Sequence, residues 1–310
     1  MKISLCTLFE GNYHFGVAAL CNSLVTAGFS GVLWAGYRGA LPAWLTGSPS
    51  YDAATATYQV SPDFQLRMVL LDTPVHFTYY KPTFVRDVFE KYAPDSDTVA
   101  YIDPDIVMKC DWPSFCGWFT DDALSLAEDV NWAFPSRHPK RLLWSAFFAQ
   151  HGIASIRPIE RYYNAGFIGV PRRHVDFLVL WERLCSLVLD YNQGVKHLKA
   201  GGSAALFHST DQDALNFALT AHEATLNTAG PDAMDFTAGG YYLSHAIGSP
   251  KPWNTPHIRN AIGGQSPSVA TKAYFQHIEG PIRAFSDAEI KRHRFALRLA
   301  SAIGRVYQRR

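Results

Sequence analysis

One segment constrains this chain more than any other: VAYIDPDIVM, residues 99–108, in which an apolar run ends abruptly in two aspartates. Thr98 to Ile102 reads as a strand that is apolar on both faces except for Tyr101. A strand without a polar face belongs inside a sheet covered by helices, so the chain is expected to be an α/β protein. The flanking pattern agrees. Lys2 to Leu8 is a short apolar run closed by a Gly-Asn pair, Phe15 to Ala27 has helical spacing, and Gly31 to Ala35 is apolar again. Strand, helix and strand in that order are the unit from which α/β sheets are built.

Further elements follow along the chain. Pro82 to Tyr92 is expected as a helix that starts on its proline, and Ala123 to Ala127 and Gly166 to Val170 as strands. Arg173 to Tyr191 reads as a long amphipathic helix leading to a loop at Gly201, Gly202 and Ser203. Asp211 to Thr220 reads as another helix, with Thr210 as its N-cap. Residues 229–270, rich in Gly, Pro, Ser and Asn, are expected to be ordered but loop-heavy. No internal repeat or low-complexity linker divides the chain, so one domain over residues 1–285 and a basic amphipathic helix over 286–310 are expected.

Composition narrows the partners. With 28 Lys and Arg against 27 Asp and Glu in 310 residues, bulk charge gives no reason to expect nucleic acid. The charge is unevenly spread, however. Seven basic residues and no acidic one follow Glu289, interspersed with the apolar Phe295, Leu297, Leu299, Ile303, Val306 and Tyr307. That mixture suits an anionic membrane surface, although a docked helix with a solvated basic face would read the same way. The five cysteines are scattered and lack CxxC spacing, which fits reduced thiols in a cytoplasmic protein. Gly11 to Tyr37 contains no Lys, Arg, Asp or Glu, but its asparagines, His14 and glycines fit buried elements better than a membrane span.

Four segments could carry chemistry. Asp103 and Asp105 stand at the carboxyl end of a buried strand, where open α/β sheets place ligands. A turn at Pro104 would let both carboxylates approach one hard cation, Mn²⁺ or Mg²⁺. Two turn aspartates ending a strand would leave the same letters. So would the haloacid-dehalogenase-like phosphatase pattern, with Asp103 as a phosphoryl-accepting nucleophile. In YYNAGFIGV, Asn164 precedes Ala165 and Gly166, small residues that would let backbone approach a sugar or nucleotide or simply open a strand. In STDQDALN, helix capping accounts for Asp211 and Asp213 but not for Gln212. In LSHAIGSPKPWN, His245, Gly248 and Lys251 sit at spacings of three between prolines. An imidazole can complete a carboxylate metal site, a glycine admits phosphate oxygens, and a lysine supplies a compact positive charge.

Taken in order, these segments resemble the retaining sugar-nucleotide transferases of glycosyltransferase family eight, the glycogenin and lipopolysaccharide galactosyltransferase type. The resemblance covers most of the chain and implies a GT-A type, Rossmann-like mixed sheet flanked by helices. It implies transfer of a hexose, glucose or galactose, from a UDP-sugar to a glycan or lipid-linked glycan. It places Asp103, Asp105 and His245 on the metal, and Gly248 and Lys251 on the diphosphate. The Thr7 and Leu8 backbone, the Asn12 and Tyr13 side chains and Arg86 would meet the donor nucleotide. Asn164, Ala165, Gly166 and Asp129, with Glu128 beside it, would lie near the donor sugar, and Asp211 and Gln212 near its anomeric carbon. His208 stands three before Asp211, where some relatives carry an acid. The long interval after Asp105 holds Trp132, Arg137, His138, Lys140, Arg141 and Trp144, which would form either an acceptor surface or a packed helix start. A catalytically silent sugar-nucleotide or glycan binder on the same fold would share these motifs.

Overall fold

A computed structural model describes residues 1–193 and 205–307. In chain order the strands and helices are β1 (Ile3–Glu10), α1 (His14–Thr26), β2 (Gly31–Arg38), α2 (Ala43–Thr46), β3 (Tyr51–Asp52), β4 (Thr57–Ser61), β5 (Phe64–Leu70) and α3 (Phe77–Asp87). There follow β6 (Thr98–Ile102), β7 (Ile106–Met108), α4 (Trp112–Cys116), β8 (Ala123–Ala133), α5 (Pro139–Ala149), β9 (Arg161–Pro171), α6 (Val175–Tyr191) and α7 (Thr210–Ala218). The chain closes with β10 (Thr225–Ala229), β11 (Leu243–His245), α8 (His257–Ile262), α9 (Val269–Gln276) and α10 (Asp287–Val306). The strands form mixed sheets, described unit by unit below, with β7 and β11 as a separate antiparallel pair, and helices alternate with strands along the chain as expected of an α/β protein. The expected loop at Gly201 to Ser203 lies outside the described residues.

By contact density the chain divides into two compact units. The first comprises residues 1–8, 70–102 and 116–231. Its strands run in the order β10, β8, β9, β6, β1. β6 lies parallel to β1, with Ile3 opposite Thr98, and antiparallel to β9, with Ile102 opposite Phe167. Every residue of β6 is buried, as a strand without a polar face requires. The second unit comprises residues 9–69, 103–115 and 232–310. It holds an antiparallel set β5, β4, β3 for which the sequence gives no expectation, and a core cluster around Val107, Trp253, Tyr274, Phe275 and Ile290.

Two helix starts differ from expectation. α3 begins at Phe77 rather than at Pro82, because the His76 ring accepts a hydrogen bond from the Thr78 N–H and caps the first turn. Pro82 is therefore inside the helix, and a π-turn over Val88–Tyr92 continues it. α7 includes Thr210, and Ser209 is the N-cap residue. The Ser209 N–H donates to Asp213 Oδ2 (3.1 Å), so the capping contact comes from the helix side chain reaching back.

Candidate functional site

In the second unit, the chain turns at Asp103–Pro104–Asp105, closed by the Ile106 N–H donating to the Asp103 carbonyl (3.1 Å). Antiparallel pairing of β7 with β11 then sets His245 opposite Ile106, and the Ala246 N–H donates to the Asp105 carbonyl (3.0 Å). A two-stranded ladder thus brings a distant histidine beside both acids. His245 Nε2 lies 3.3 Å from Asp105 Oδ1 and 3.9 Å from Asp103 Oδ2. One donor atom from each of the three residues falls within a 4.8 Å span.

Lys251 completes the cluster. Its Nζ donates to Asp105 Oδ2 (2.5 Å) and to the Ala246 carbonyl (3.1 Å), and stands 5.9 Å from the Tyr13 ring centre. Burial raises the Asp105 carboxyl, but the His245 and Lys251 charges and hydrogen bonds outweigh it and hold the group below the usual carboxylate range. Burial lowers the Lys251 ammonium, and Asp105 more than offsets it. His245 Nδ1 is buried without a hydrogen bond among the described residues.

Two carboxylates and one imidazole are a suitable donor set for Mn²⁺ or Mg²⁺, and they offer more negative charge than Lys251 alone neutralises. The cluster therefore fits the divalent ion expected from the sequence. Gly16, on α1, was not among the sequence candidates. A β-carbon built there would collide with the Pro104 carbonyl, so the helix packs against the acidic turn at a distance only glycine permits. Trp253 lies edge-on to Tyr13 with ring centres 5.5 Å apart, and Asn12 is exposed in the short turn before α1. Gly248 has φ +88°, a left-handed conformation suited to glycine, and the loop contains a cis Ser249–Pro250 bond.

In the first unit a separate polar cluster joins α3, β9 and α7. Lys81 Nζ lies 3.2 Å from Asp211 Oδ2, donates to the Ala165 carbonyl (3.0 Å), and sits 5.2 Å from the Tyr101 ring centre. Both partners of the ion pair are buried. The Ala165 N–H donates to Gln212 Oε1 (3.0 Å), so Lys81 and Gln212 hold opposite backbone groups of one residue. Asn164 Nδ2 donates to Asp129 Oδ2 (2.7 Å), and the Gly166 N–H donates to Asn164 Oδ1 (2.8 Å). Asn216, one turn beyond Gln212, accepts from the Tyr163 N–H and donates to the Tyr163 carbonyl, both at 2.8 Å. α7 is thereby tied to β9 by side chains acting as strand partners.

The structure brings Asp129, Asn164, Ala165, Gly166, Asp211 and Gln212 into this cluster. It does not bring Arg86 there. Arg86 pairs with Glu182 of α6 (2.8 Å), and the basic side chain beside Asp211 is Lys81. Lys81 and Arg86 stand five residues apart on α3, about 140° around the helix, so they meet different neighbours. Thr7 and Leu8 are buried near the end of β1. Glu128 pairs with Arg161 (3.4 Å).

Sequence reasoning also missed Tyr162, whose hydroxyl donates to Asp213 Oδ1 (2.5 Å). Burial pushes Asp213 up to about 7, the Tyr162 hydrogen bond only partly opposing it. In the interval after Asp105 the packed-helix alternative holds for two of the named residues. Trp144 is fully buried, and Arg141 is buried with its guanidinium on the Phe134, Asn216 and Arg161 carbonyls. Burial lowers Arg141 to about 10.

No protein-family model and no curated protein sequence matches the chain. Solved structures do share its fold. The bifunctional glycosyltransferase WbbM superposes with a TM-score of 0.54 at 15% identity, over 94% of this chain and 51% of that one. The glycosyltransferase GlyE of Streptococcus pneumoniae TIGR4 gives 0.51 at 13% identity, over 96% of this chain and 64% of that one. The galactosyltransferase LgtC, solved with donor and acceptor sugar analogues, gives 0.50 at 16% identity, over 94% and 99%. This chain thus spans about half to two thirds of the first two proteins and nearly all of LgtC. The fold is that of GT-A glycosyltransferases.

Proposed function

We propose that the chain is a metal-dependent retaining glycosyltransferase that moves glucose or galactose from a UDP-sugar to a hydroxyl of a glycan or lipid-linked glycan. The observation that carries this reading is the Asp103, Asp105 and His245 donor set, within one 4.8 Å span, on a glycosyltransferase fold. It is supported by the second polar cluster, in which Asp211 and Gln212 are fixed by buried partners. Mn²⁺ or Mg²⁺ held by Asp103, Asp105 and His245 supplies Lewis-acid stabilisation of the departing diphosphate.

The remaining chemistry belongs to side chains and backbone. Lys251 places a compact positive charge where the leaving group gains negative charge, and the Gly248 backbone lets phosphate oxygens approach N–H groups. Thr7, Leu8, Asn12 and Tyr13 bind the nucleotide. Asn164, Ala165, Gly166 and Asp129 bind the donor sugar, Arg86 contributes a positive charge on the donor side, and Lys81 holds Asp211 in place. Gln212, its Oε1 accepting from the Ala165 N–H and its amide bonded to the Tyr162 hydroxyl, is held rigidly on the donor-sugar side and orients the sugar.

In the transfer the acceptor oxygen bonds to the anomeric carbon as the bond to the diphosphate oxygen breaks, and the acceptor proton passes to the leaving phosphate. Retention follows from attack on the face the diphosphate leaves, or from two displacements in which Asp211 is the first nucleophile. The experiment is UDP release from UDP-glucose and UDP-galactose, with and without Mn²⁺, comparing the intact chain with Asp105→Ala. Metal-dependent release abolished by the substitution supports the reading. Donor binding without turnover in any acceptor mixture points to the silent binder, and neither binding nor turnover sinks both.

A further inference from the structure

α10 carries two apolar stripes, and only one is used inside the protein. Ile290, Ala300 and Gly304 are buried, and Leu297 packs on the core around Trp253 and Tyr274. Gly304 meets the chain so closely that a β-carbon there would collide with the Ser266 side chain. About half a turn away, Phe295, Leu299, Ala302 and Val306 fall within roughly 60° of arc at 3.6 residues per turn. This outer stripe faces solvent: Phe295 is 65% exposed, Leu299 38% and Val306 91%.

Cations border the outer stripe on both sides. Lys291, Arg298 and Arg305 follow one edge and Arg292 the other, all exposed. Among the described residues none of the four forms an ion pair, whereas Arg294, nearer the core-facing side, is paired with Glu279. A solvated helix gains nothing from a large aromatic and two aliphatic side chains on its outer face. We propose that the outer face of α10 is a docking surface for an anionic lipid bilayer, with Phe295, Leu299 and Val306 entering the headgroup boundary and the flanking cations meeting lipid phosphates. No helix among the described residues is long and apolar enough to cross a membrane, so this contact would be a peripheral one. It goes beyond the transferase reading.

The test is sedimentation of the full chain with phosphatidylcholine vesicles and with vesicles that also contain phosphatidylglycerol. Binding to the anionic vesicles only, weakened by salt, is expected. Arg298→Gln with Arg305→Gln should weaken it about thirtyfold, since each cation near such a surface contributes about 1 kcal/mol. Phe295→Ser with Leu299→Ser should weaken it at least about tenfold by removing buried apolar area. All four positions are exposed, so thermal melting should be unchanged and a loss of binding cannot be ascribed to unfolding. Equal binding of intact and substituted chains, or none to either vesicle, overturns the proposal. Self-association in sedimentation velocity that Phe295→Ser abolishes would overturn it in favour of a second copy. UDP release to a soluble acceptor should be indifferent to these substitutions, so failure here and failure of the transferase reading are separately visible.

Discussion

Gly16 leaves no room for a β-carbon against the carbonyl of Pro104. The helix α1 therefore acts as a backstop for the turn that carries both acids of the candidate metal site. Gly16→Ala should push that turn away or open the helix contact, costing about 1–3 kcal/mol of stability, the usual penalty for overpacking. It should also loosen Mn²⁺ more than a distant surface substitution of equal destabilisation does. Calorimetric titration of Mn²⁺ into Gly16→Ala checks this; an unchanged affinity would mean that the turn holds its geometry without the helix.

Lys81 and Asp211 form a buried pair, and removing one partner strands the other charge. Lys81→Met should cost about 3–5 kcal/mol in urea unfolding, because the Asp211 carboxylate would remain buried without its cation. Adding Asp211→Asn should recover much of that loss while UDP release stays low. If Lys81→Met alone unfolds like the intact protein, water reaches Asp211 and the pair is not the structural tie described above.

Part of this organisation is legible in the sequence, for identifiable reasons. β6 and the two acids after it stand out because complete burial leaves no charged residue between Thr98 and Ile102, and the side chains gathered around Asn164 and Gln212 lie in short local motifs. Lys81 does not stand out. A proline inside α3 mimics a helix start and leaves Lys81 just outside the expected element, so its place beside Asp211 is not read. Arg141 reads as surface charge, because nothing periodic announces three backbone carbonyls converging on one guanidinium. Gly16 is equally silent, for close approach depends on what the opposing strand and turn do.

Asp213 makes stability depend on pH with a definite sign. Its carboxyl is raised to about 7 from an ordinary value of 3.8, so the folded state holds the proton more tightly than the unfolded chain. The group's contribution is complete below the unfolded value and is lost as pH rises through the folded one, a loss of about 4 kcal/mol at most. Urea midpoints should fall between about pH 4 and about pH 7, and Asp213→Asn should flatten that slope whatever its effect on absolute stability. A slope that survives the substitution would place the titration elsewhere.

Lys251 and a divalent ion make opposite demands on Asp105. The ammonium already occupies Asp105 Oδ2, and a cation held by the same carboxylate would be repelled by it. Lys251→Met should therefore bind Mn²⁺ at least as tightly as the intact chain, by up to about tenfold, while UDP release falls because the leaving diphosphate loses its fixed positive charge. Asp105→Asn should do the reverse to affinity, and saturating Mn²⁺, which adds about 2.7 kcal/mol at a hundred times Kd, should no longer raise its melting temperature. Opposite shifts in Mn²⁺ affinity for the two variants, with loss of turnover in both, would separate the ligand from the charge partner. A joint loss of affinity would make Lys251 a support of the metal cluster, and its role toward the diphosphate would then fall.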